Sequence, residues 1–282
     1  MLRNRHSRTR TALLAAGLVA SSFATTWAPL AAARSPAVPK HQNGSAWLLP
    51  LVHPQKQGTL PVVVVVAQGE TVLSDFVVPY GVLSQSGAAK VIAVNMTDGP
   101  LKAGPLTVVP DMTAAAFDAA YPDGADYVLV PATGDAYAEE LVWLRAQYAH
   151  GAALVSICDG VELLAQIGVL DGRRATGHWA SLRDRSTHYP RVTWLENQRY
   201  VADGTVASSA GVSASLPISL ALVERIAGPE VARATADRFG VQSWDVTHRS
   251  DLFKVRPDDD AVHHVNMSVE RDDVVALKIA DG

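Results

Sequence analysis

The stretch that decides the fold is Ala152-Ala153-Leu154-Val155-Ser156-Ile157-Cys158-Asp159-Gly160, in which an apolar strand breaks directly into a helix. A turn of this kind presents the side chain at its apex, here Cys158, which is the only cysteine in the 282 residues. The position at the start of a helix favours a thiolate, the reactive form of cysteine. We therefore predict that the Cys158 thiol is exposed and activated, and that any chemistry of this chain is centred on it.

Apolar strands and amphipathic helices alternate on both sides of this stretch. Five consecutive valines, Val62–Val66, predict a central strand that is buried on both faces. Further strands are predicted at 91–95, 106–109, 127–130, 152–157 and 205–209. Helices are predicted at 71–85, 113–120 (capped by Asp111 or Thr113), 137–148, 160–167, 179–188, 212–226 and 229–239. This alternation predicts an α/β fold, a doubly wound and mostly parallel sheet sandwiched by helices.

The two ends of the chain differ in composition from the part between them. Four arginines precede an uncharged segment, Thr11–Ala33, that ends in three alanines. This pattern predicts a signal peptide over 1–33 and export to the periplasm or the medium. The alternative is an uncleaved membrane anchor, because the uncharged segment is long enough to span a bilayer. Residues 34–60 predict a linker, and the charged, strand-like residues 240–282 predict a C-terminal extension of the domain at 61–239.

Charge and motif content exclude several classes of function. Without residues 1–33 the chain has 20 Lys and Arg against 28 Asp and Glu, a net charge of −8 that repels nucleic acids and anionic lipids. No phosphate-binding loop is present. The acidic run Asp258–Asp260 lies near His263 and His264, and its spacing favours a surface turn over a metal site. We predict no metal, no cofactor and no nucleic-acid partner.

The residues that follow the cysteine carry a family resemblance. They read Cys158-Asp159-Gly160, then Leu163-Leu164-Ala165, then Gly168-Val169-Leu170-Asp171-Gly172-Arg173-Arg174-Ala175-Thr176-Gly177-His178-Trp179. This run resembles the ThiJ/PfpI superfamily of class I glutamine amidotransferase-like domains, whose usual wording is Cys-Thr-Gly, Leu-Leu-Ala and Gly-x-Leu-Asp-Gly-Arg-Arg-Ala-Thr-Thr-His-Trp. Ser74–Leu83 and Ser208–Val212 add support in the expected order. The resemblance covers about 61–239 and implies a flavodoxin-like sandwich.

The resemblance also implies a set of catalytic residues. Cys158 is the nucleophile, and Asp75 matches the family's acid after the first strand, which would carry the proton during the reaction. Glu70, closer to the end of that strand, is the alternative acid. His178 matches the family's histidine, although a purely structural histidine is an equal alternative.

Backbone N–H groups complete the implied site as an oxyanion hole. They belong to Asp159 and Gly160 after the cysteine and to the loop that contains Gly134. Two positions depart from the family pattern: Asp159 replaces the usual Thr, and Pro131-Ala132-Thr133-Gly134 stands where many relatives have Pro-Gly-Gly. A carboxylate at Asp159 raises the pKa of a neighbouring thiol.

Two classes of function agree with these features. The first is an exported cysteine-dependent hydrolase or lyase, isonitrile-hydratase-like or amidase-like, that acts on a small electrophile. The second is a non-catalytic ligand sensor, similar to the amidase-like domain of AraC-type regulators but without their helix-turn-helix. A side chain of Asp159 that points away from the sulfur favours catalysis, and one that contacts it favours binding. The resemblance implies a homodimer.

Overall fold

A computed structural model describes residues 60–134 and 138–241 of the chain. The main sheet has seven strands in the order β10-β11-β7-β6-β1-β2-β5. All neighbours pair in parallel except β10 and β11, which are antiparallel. The strands of this sheet are β1 (Val62–Val66), β2 (Lys90–Asn95), β5 (Met112–Thr113), β6 (Tyr127–Val130), β7 (Ala153–Ile157), β10 (Tyr200–Asp203) and β11 (Val206–Ser209).

The valine run forms the central strand, as predicted, and its two faces enter two different cores. All five residues of β1 are buried. Val63 and Val65 pack into one hydrophobic cluster, whereas Val62, Val64 and Val66 pack into the other. Because successive side chains of a strand point to opposite faces, a strand covered on both sides needs an apolar residue at every position.

Helices cover both faces of the sheet. The first cluster is closed by α1 (Leu73–Ser86), α6 (Ser215–Ala227) and α7 (Pro229–Arg238), and the second by α2 (Ala114–Ala120), α3 (Ala138–Ala149) and α4 (Gly160–Gln166). The predicted doubly wound α/β sandwich is confirmed. A further helix, α5 (Leu182–His188), follows a 3₁₀ turn over Trp179–Ser181.

The largest differences from the predicted helix bounds lie at helix starts. α1 begins at Leu73 rather than at 71, because the Thr71 hydroxyl accepts the N–H of Gln68 and keeps the chain in a turn. Thr113 caps α2 by accepting the N–H of Ala116. Asp111, the other predicted cap, instead accepts the N–H of Ala93.

Several short strands lie outside the predicted set. The predicted strand at 106–109 belongs to a separate hairpin of β3 (Leu101–Ala103) and β4 (Leu106–Val108), and β8 (Arg174–Ala175) pairs with β9 (Thr193–Trp194). β5 and β10 of the main sheet were not predicted either. The interpretations of 1–33, of 34–59 and of nearly all of 240–282 lie outside the described residues. Within 60–134 and 138–241, no helix combines the length and apolar character that crossing a bilayer requires.

Candidate active site

Cys158 stands between β7 and α4, at the carboxyl end of a central parallel strand, where α/β proteins bind ligands. Its φ is +56°, a left-handed conformation that is uncommon for a residue other than glycine and recurs at functional sites. The next turn is packed tightly: a Cβ on Gly160 would overlap the Val130 carbonyl oxygen at the end of β6. The predicted strand-to-helix turn with Cys158 at its apex is therefore confirmed.

The predicted exposure of the thiol is wrong. Cys158 is only 6% exposed and belongs to the hydrophobic cluster of the α1 face. Burial raises the pKa of the thiol well above its ordinary value, and the negative charges of Asp75 and Asp159 raise it further. The backbone N–H of Asp159 lowers it, but α4 has only seven residues and its dipole does not compensate. These effects favour the protonated thiol at neutral pH.

Asp75 lies in the first turn of α1 and is completely buried beside that thiol. Burial raises the pKa of its carboxyl to about 6, and the Ala132 N–H, the Cys158 thiol and the Ser74 hydroxyl oppose this increase. Neither carboxylate oxygen has a partner at full hydrogen-bond geometry. At neutral pH, an ionised carboxylate with unused acceptor capacity thus faces a protonated thiol.

Two loops bring these groups together. The N–H of Val72, just before α1, donates to the Ala132 carbonyl after β6 at 2.8 Å. The Thr133 hydroxyl donates to the Gly69 carbonyl at 3.0 Å. On its other side the end of β6 packs against the turn at Cys158, because Gly160 lies against the Val130 and Pro131 carbonyls. The loop after β6 therefore links the loop after β1 to that turn, as the position of β6 between β1 and β7 allows.

The Asp159 carboxylate points to α5 and not to the sulfur. The Ser181 hydroxyl donates to its Oδ2 at 2.6 Å, and Arg185 Nη1 donates to its Oδ1 at 3.2 Å. The same Nη1 donates to the His178 carbonyl at 2.6 Å. Of the two directions weighed from the sequence, Asp159 takes the one that leaves the sulfur free.

His178 is half-buried next to the same group of residues. Its ring stacks on Trp179 with 4.2 Å between centroids, and Gly211, just after β11, lies against both rings. The backbone of His178 thus contributes to the site through Arg185, and the catalytic role of its ring stays a prediction.

The remaining predicted residues lie further out. Glu70 is exposed, has a φ of +61°, and its carboxylate lies against Gly134, which is also exposed. The carboxylates that act on the Cys158 thiol are those of Asp75 and Asp159. In the loop after β6, the N–H that reaches Asp75 is that of Ala132, which the sequence analysis did not single out.

Arg185 and Ser181 are two further residues that the sequence analysis missed. The α5 segment is Leu-Arg-Asp-Arg-Ser-Thr-His, and nothing in this polar pattern distinguishes the buried arginine from its exposed neighbour Arg183. Among the residues described, no group of three His, Cys, Asp or Glu side chains is arranged to hold a metal ion. The acidic run Asp258–Asp260 and its histidines lie outside that part of the chain.

A doubly wound sheet with a cysteine on a strained strand–helix turn and a buried carboxylate beside it defines a class of α/β proteins with a cysteine elbow. Within this class the chain belongs to the DJ-1/PfpI family, whose sequence profile matches residues 61–225.

Curated relatives include both regulators and an enzyme. The chain is 35% identical over 97 residues to the HTH-type transcriptional regulator CdhR of Pseudomonas aeruginosa, a match that covers 34% of this chain and 29% of the regulator. It is 30% identical over 95 residues to the isonitrile hydratase of Pseudomonas putida, covering 34% of this chain and 40% of that enzyme. The matches thus span less than half the length of these relatives.

Solved structures agree on the fold. Drosophila melanogaster DJ-1beta superposes with a TM-score of 0.59 at 21% identity, covering 65% of this chain and all of that one. An AraC family transcriptional regulator from Pseudomonas putida superposes with a TM-score of 0.56 at 20% identity, covering 64% of this chain and 100% of that chain. At these identities the likeness concerns the fold alone.

Proposed function

We propose that this protein is a cysteine-dependent hydratase or hydrolase of a small electrophile, with isonitriles as the first class of substrate to test. The observation that carries the proposal is the pairing of the buried Asp75 carboxylate with the Cys158 thiol. The isonitrile hydratase among the relatives supports the choice of substrate.

The pair has complementary protonation states for adding a thiol to a carbon–nitrogen multiple bond. As the Cys158 sulfur forms a bond to the terminal carbon of an isonitrile, the Asp75 carboxylate accepts the thiol proton and passes it to that carbon. The product of this step is a thioimidate. Water then adds to the thioimidate carbon, the C–S bond breaks, and an N-substituted formamide leaves as the thiol regains its proton. The net reaction consumes one isonitrile and one water.

The direction of Asp159 supports turnover rather than binding alone. Its carboxylate is bound by Ser181 and Arg185, while its backbone N–H is near enough to the sulfur to lower the thiol pKa. Negative charge that develops on sulfur as the C–S bond breaks therefore meets the backbone N–H of Asp159 and not the carboxylate of that residue.

The test is to incubate the purified protein with a panel of alkyl and aryl isonitriles and to measure formamides by mass spectrometry. A panel of aldehydes and primary amides runs in parallel. Formamide production that disappears in Cys158→Ser and falls at least about a hundredfold in Asp75→Asn would support the proposal. Production that survives in Cys158→Ser would refute the role of the cysteine.

A second candidate is a ligand-sensing module, favoured by the regulators among the relatives and by the protonated resting thiol. It predicts that small molecules raise the melting temperature equally in the native protein and in Cys158→Ser, without product formation. The two candidates are separated by whether the ligand is consumed.

Export and dimerisation complete the proposal. The cationic start and the uncharged segment Thr11–Ala33 support a signal peptide with export to the periplasm or the medium, or an anchor if the segment is retained. Mass spectrometry of the protein isolated from the exported fraction distinguishes the two, since cleavage near Ala33 removes four arginines. Sedimentation of the same sample tests the homodimer.

A further inference from the structure

Arg185 is a buried charge that takes no part in the bond-making and bond-breaking steps of the proposed reaction. Its side chain is only 2% exposed, and one nitrogen, Nη1, bonds both Asp159 Oδ1 and the His178 carbonyl. The guanidinium lies 5.0 Å from the centroid of the Trp194 ring. Burying an arginine costs free energy unless each contact is well arranged, so a buried arginine at an active site calls for a function.

The site is shaped around this side chain. A Cβ on Gly177 would lie 3.0 Å from the Arg185 guanidinium carbon and 2.7 Å from a methyl group of Val161 on α4. A larger residue at position 177 would therefore displace either the arginine or the helix that follows the nucleophile. Arg185 thus reaches the turn at Cys158 through a gap that a glycine keeps open.

We propose that Arg185 is a positioning residue that acts through Asp159: it holds the Asp159 carboxylate on the α5 side, away from the Cys158 sulfur. The proposal rests on the proposed function only in taking Cys158 as the reactive group. Asp159 is the residue after the nucleophile, and its side chain is 32% exposed, so without its two partners it is free to rotate. Rotation towards the sulfur would bring a second full negative charge next to Asp75 and the thiol.

Other charged groups lie near Arg185 and Asp159 and contribute to the pH dependence of Cys158 labelling. The negative charge of Asp159 already raises the pKa of the thiol from its present position. Burial lowers the pKa of Arg185, and the carboxylates of Asp159 and Glu162 and the thiolate form of Cys158 oppose this change. Asp75 on α1 also raises the pKa of the thiol, and Asp184 and His188 on α5 act on the nearby Glu162.

The experiment uses the fact that Cys158 is the only cysteine, so iodoacetamide labelling of the full chain reports on one site. Labelling rates are measured from pH 6 to 11 for the native protein, Arg185→Met, Asp159→Asn and the double variant. Arg191→Met is the matched control, because Arg191 pairs with Asp171 at 2.7 Å but its side chain is 78% exposed.

Arg185→Met is expected to slow labelling at pH 8 by about tenfold, which corresponds to a rise of one unit in the thiol pKa. In the Asp159→Asn background the same substitution is expected to slow labelling by a clearly smaller factor, since no carboxylate remains to be held and only the direct attraction between Arg185 and the thiolate is lost. Equal factors in both backgrounds, or an effect no larger than that of Arg191→Met, would overturn the proposal.

Arg185→Lys is a second variant that tests the proposal if Arg185→Met does not fold. The lysine retains the charge, but an ammonium on a flexible stem lacks the rigid planar group that lies over the Trp194 ring and fixes Nη1 between Asp159 and the His178 carbonyl. Labelling is expected to slow several-fold, and labelling at the native rate would contradict the proposal. Because labelling needs no substrate, its outcome is independent of whether any isonitrile is turned over.

Discussion

The Asp75 carboxylate and the Cys158 thiol meet inside the protein although they belong to different strand–helix units, β1–α1 and β7–α4. Strand β6 separates the two units in the sheet, and the N–H of its loop residue Ala132 helps to lower the pKa of Asp75. The carboxylate raises the pKa of the thiol, whereas the thiol helps to lower that of the carboxyl. Both effects favour the proton on sulfur and the negative charge on Asp75 near neutral pH.

The first prediction concerns the reactivity of the thiol. Asp75→Asn removes a negative charge and an acceptor that both raise the pKa of Cys158, so the labelling rate at pH 8 should rise about tenfold or more. The pH profile of iodoacetamide labelling measures this effect. Glu70→Gln is the control, since Glu70 is exposed beside Gly134. If Glu70→Gln changed the labelling rate as much as Asp75→Asn, the assignment of Asp75 as the acid that acts on Cys158 would be wrong.

The second prediction concerns stability. The Asp75 carboxyl loses its proton near pH 4 when unfolded and near pH 6 when folded. The folded state binds the proton more tightly, so the stabilising contribution of Asp75 is complete below pH 4 and is lost as the pH rises through 6. Asp75→Asn should therefore unfold with a free energy about 2–3 kcal/mol higher than the native protein at pH 7.5. Urea unfolding at pH 4 should show this difference vanish, and a difference that persists there would contradict the assigned pKa.

Glu140 on α3 provides the third prediction. It is 1% exposed, its Oε2 has no hydrogen-bond partner, and burial raises its pKa to about 7. As for Asp75, the folded state binds the proton more tightly, so the stabilising contribution of Glu140 is lost as the pH rises from about 4.5 through 7. Glu140→Gln should raise the free energy of unfolding at pH 8 by about 2–3 kcal/mol. The neighbouring exposed Glu139→Gln should leave it unchanged, and equal effects would exclude burial as the cause.

A pair of glycines supplies the fourth prediction. A methyl group at Gly160 would overlap the Val130 carbonyl oxygen, so Gly160→Ala should lower the free energy of unfolding by at least about 2 kcal/mol. It should also alter the labelling of Cys158, because the turn must move. Gly81 lies within α1 with open space around it, and Gly81→Ala should stabilise the protein by up to about 1 kcal/mol. Thermal unfolding compares the two, and similar shifts would refute the close packing at Gly160.

Local pattern was enough to predict the central elements of the fold. The valines of β1 have no polar position, so only a strand covered on both faces accommodates them. The apolar run before Cys158 and the small residue Gly160 after Asp159 located the turn between β7 and α4. In α4, the exposed Gln166 and half-buried Glu162 fall on one stripe of an otherwise buried helix, as the periodicity indicates.

The short strands were not predicted from the sequence, because they form only by pairing with strands elsewhere in the chain. Tyr200–Asp203 becomes β10 only by pairing antiparallel with β11, and four residues carry too little periodicity to show it. Arg185 looks like any solvent-facing helix residue until Asp159 and the His178 carbonyl are found beside it. Such contacts join residues that are distant in the chain, and no local pattern encodes them.

The sequence by itself determined the family, the doubly wound sheet and the position of the cysteine, because each depends on apolar periodicity and on residues adjacent in the chain. The charge state of Cys158 was decided only by the tertiary structure. Burial and the approach of Asp75 outweigh the short α4 helix, and the thiol that the local pattern predicted as a thiolate is held protonated. The direction of Asp159 was likewise set by Arg185 and Ser181, since a carboxylate turns towards whichever donors the fold places around it.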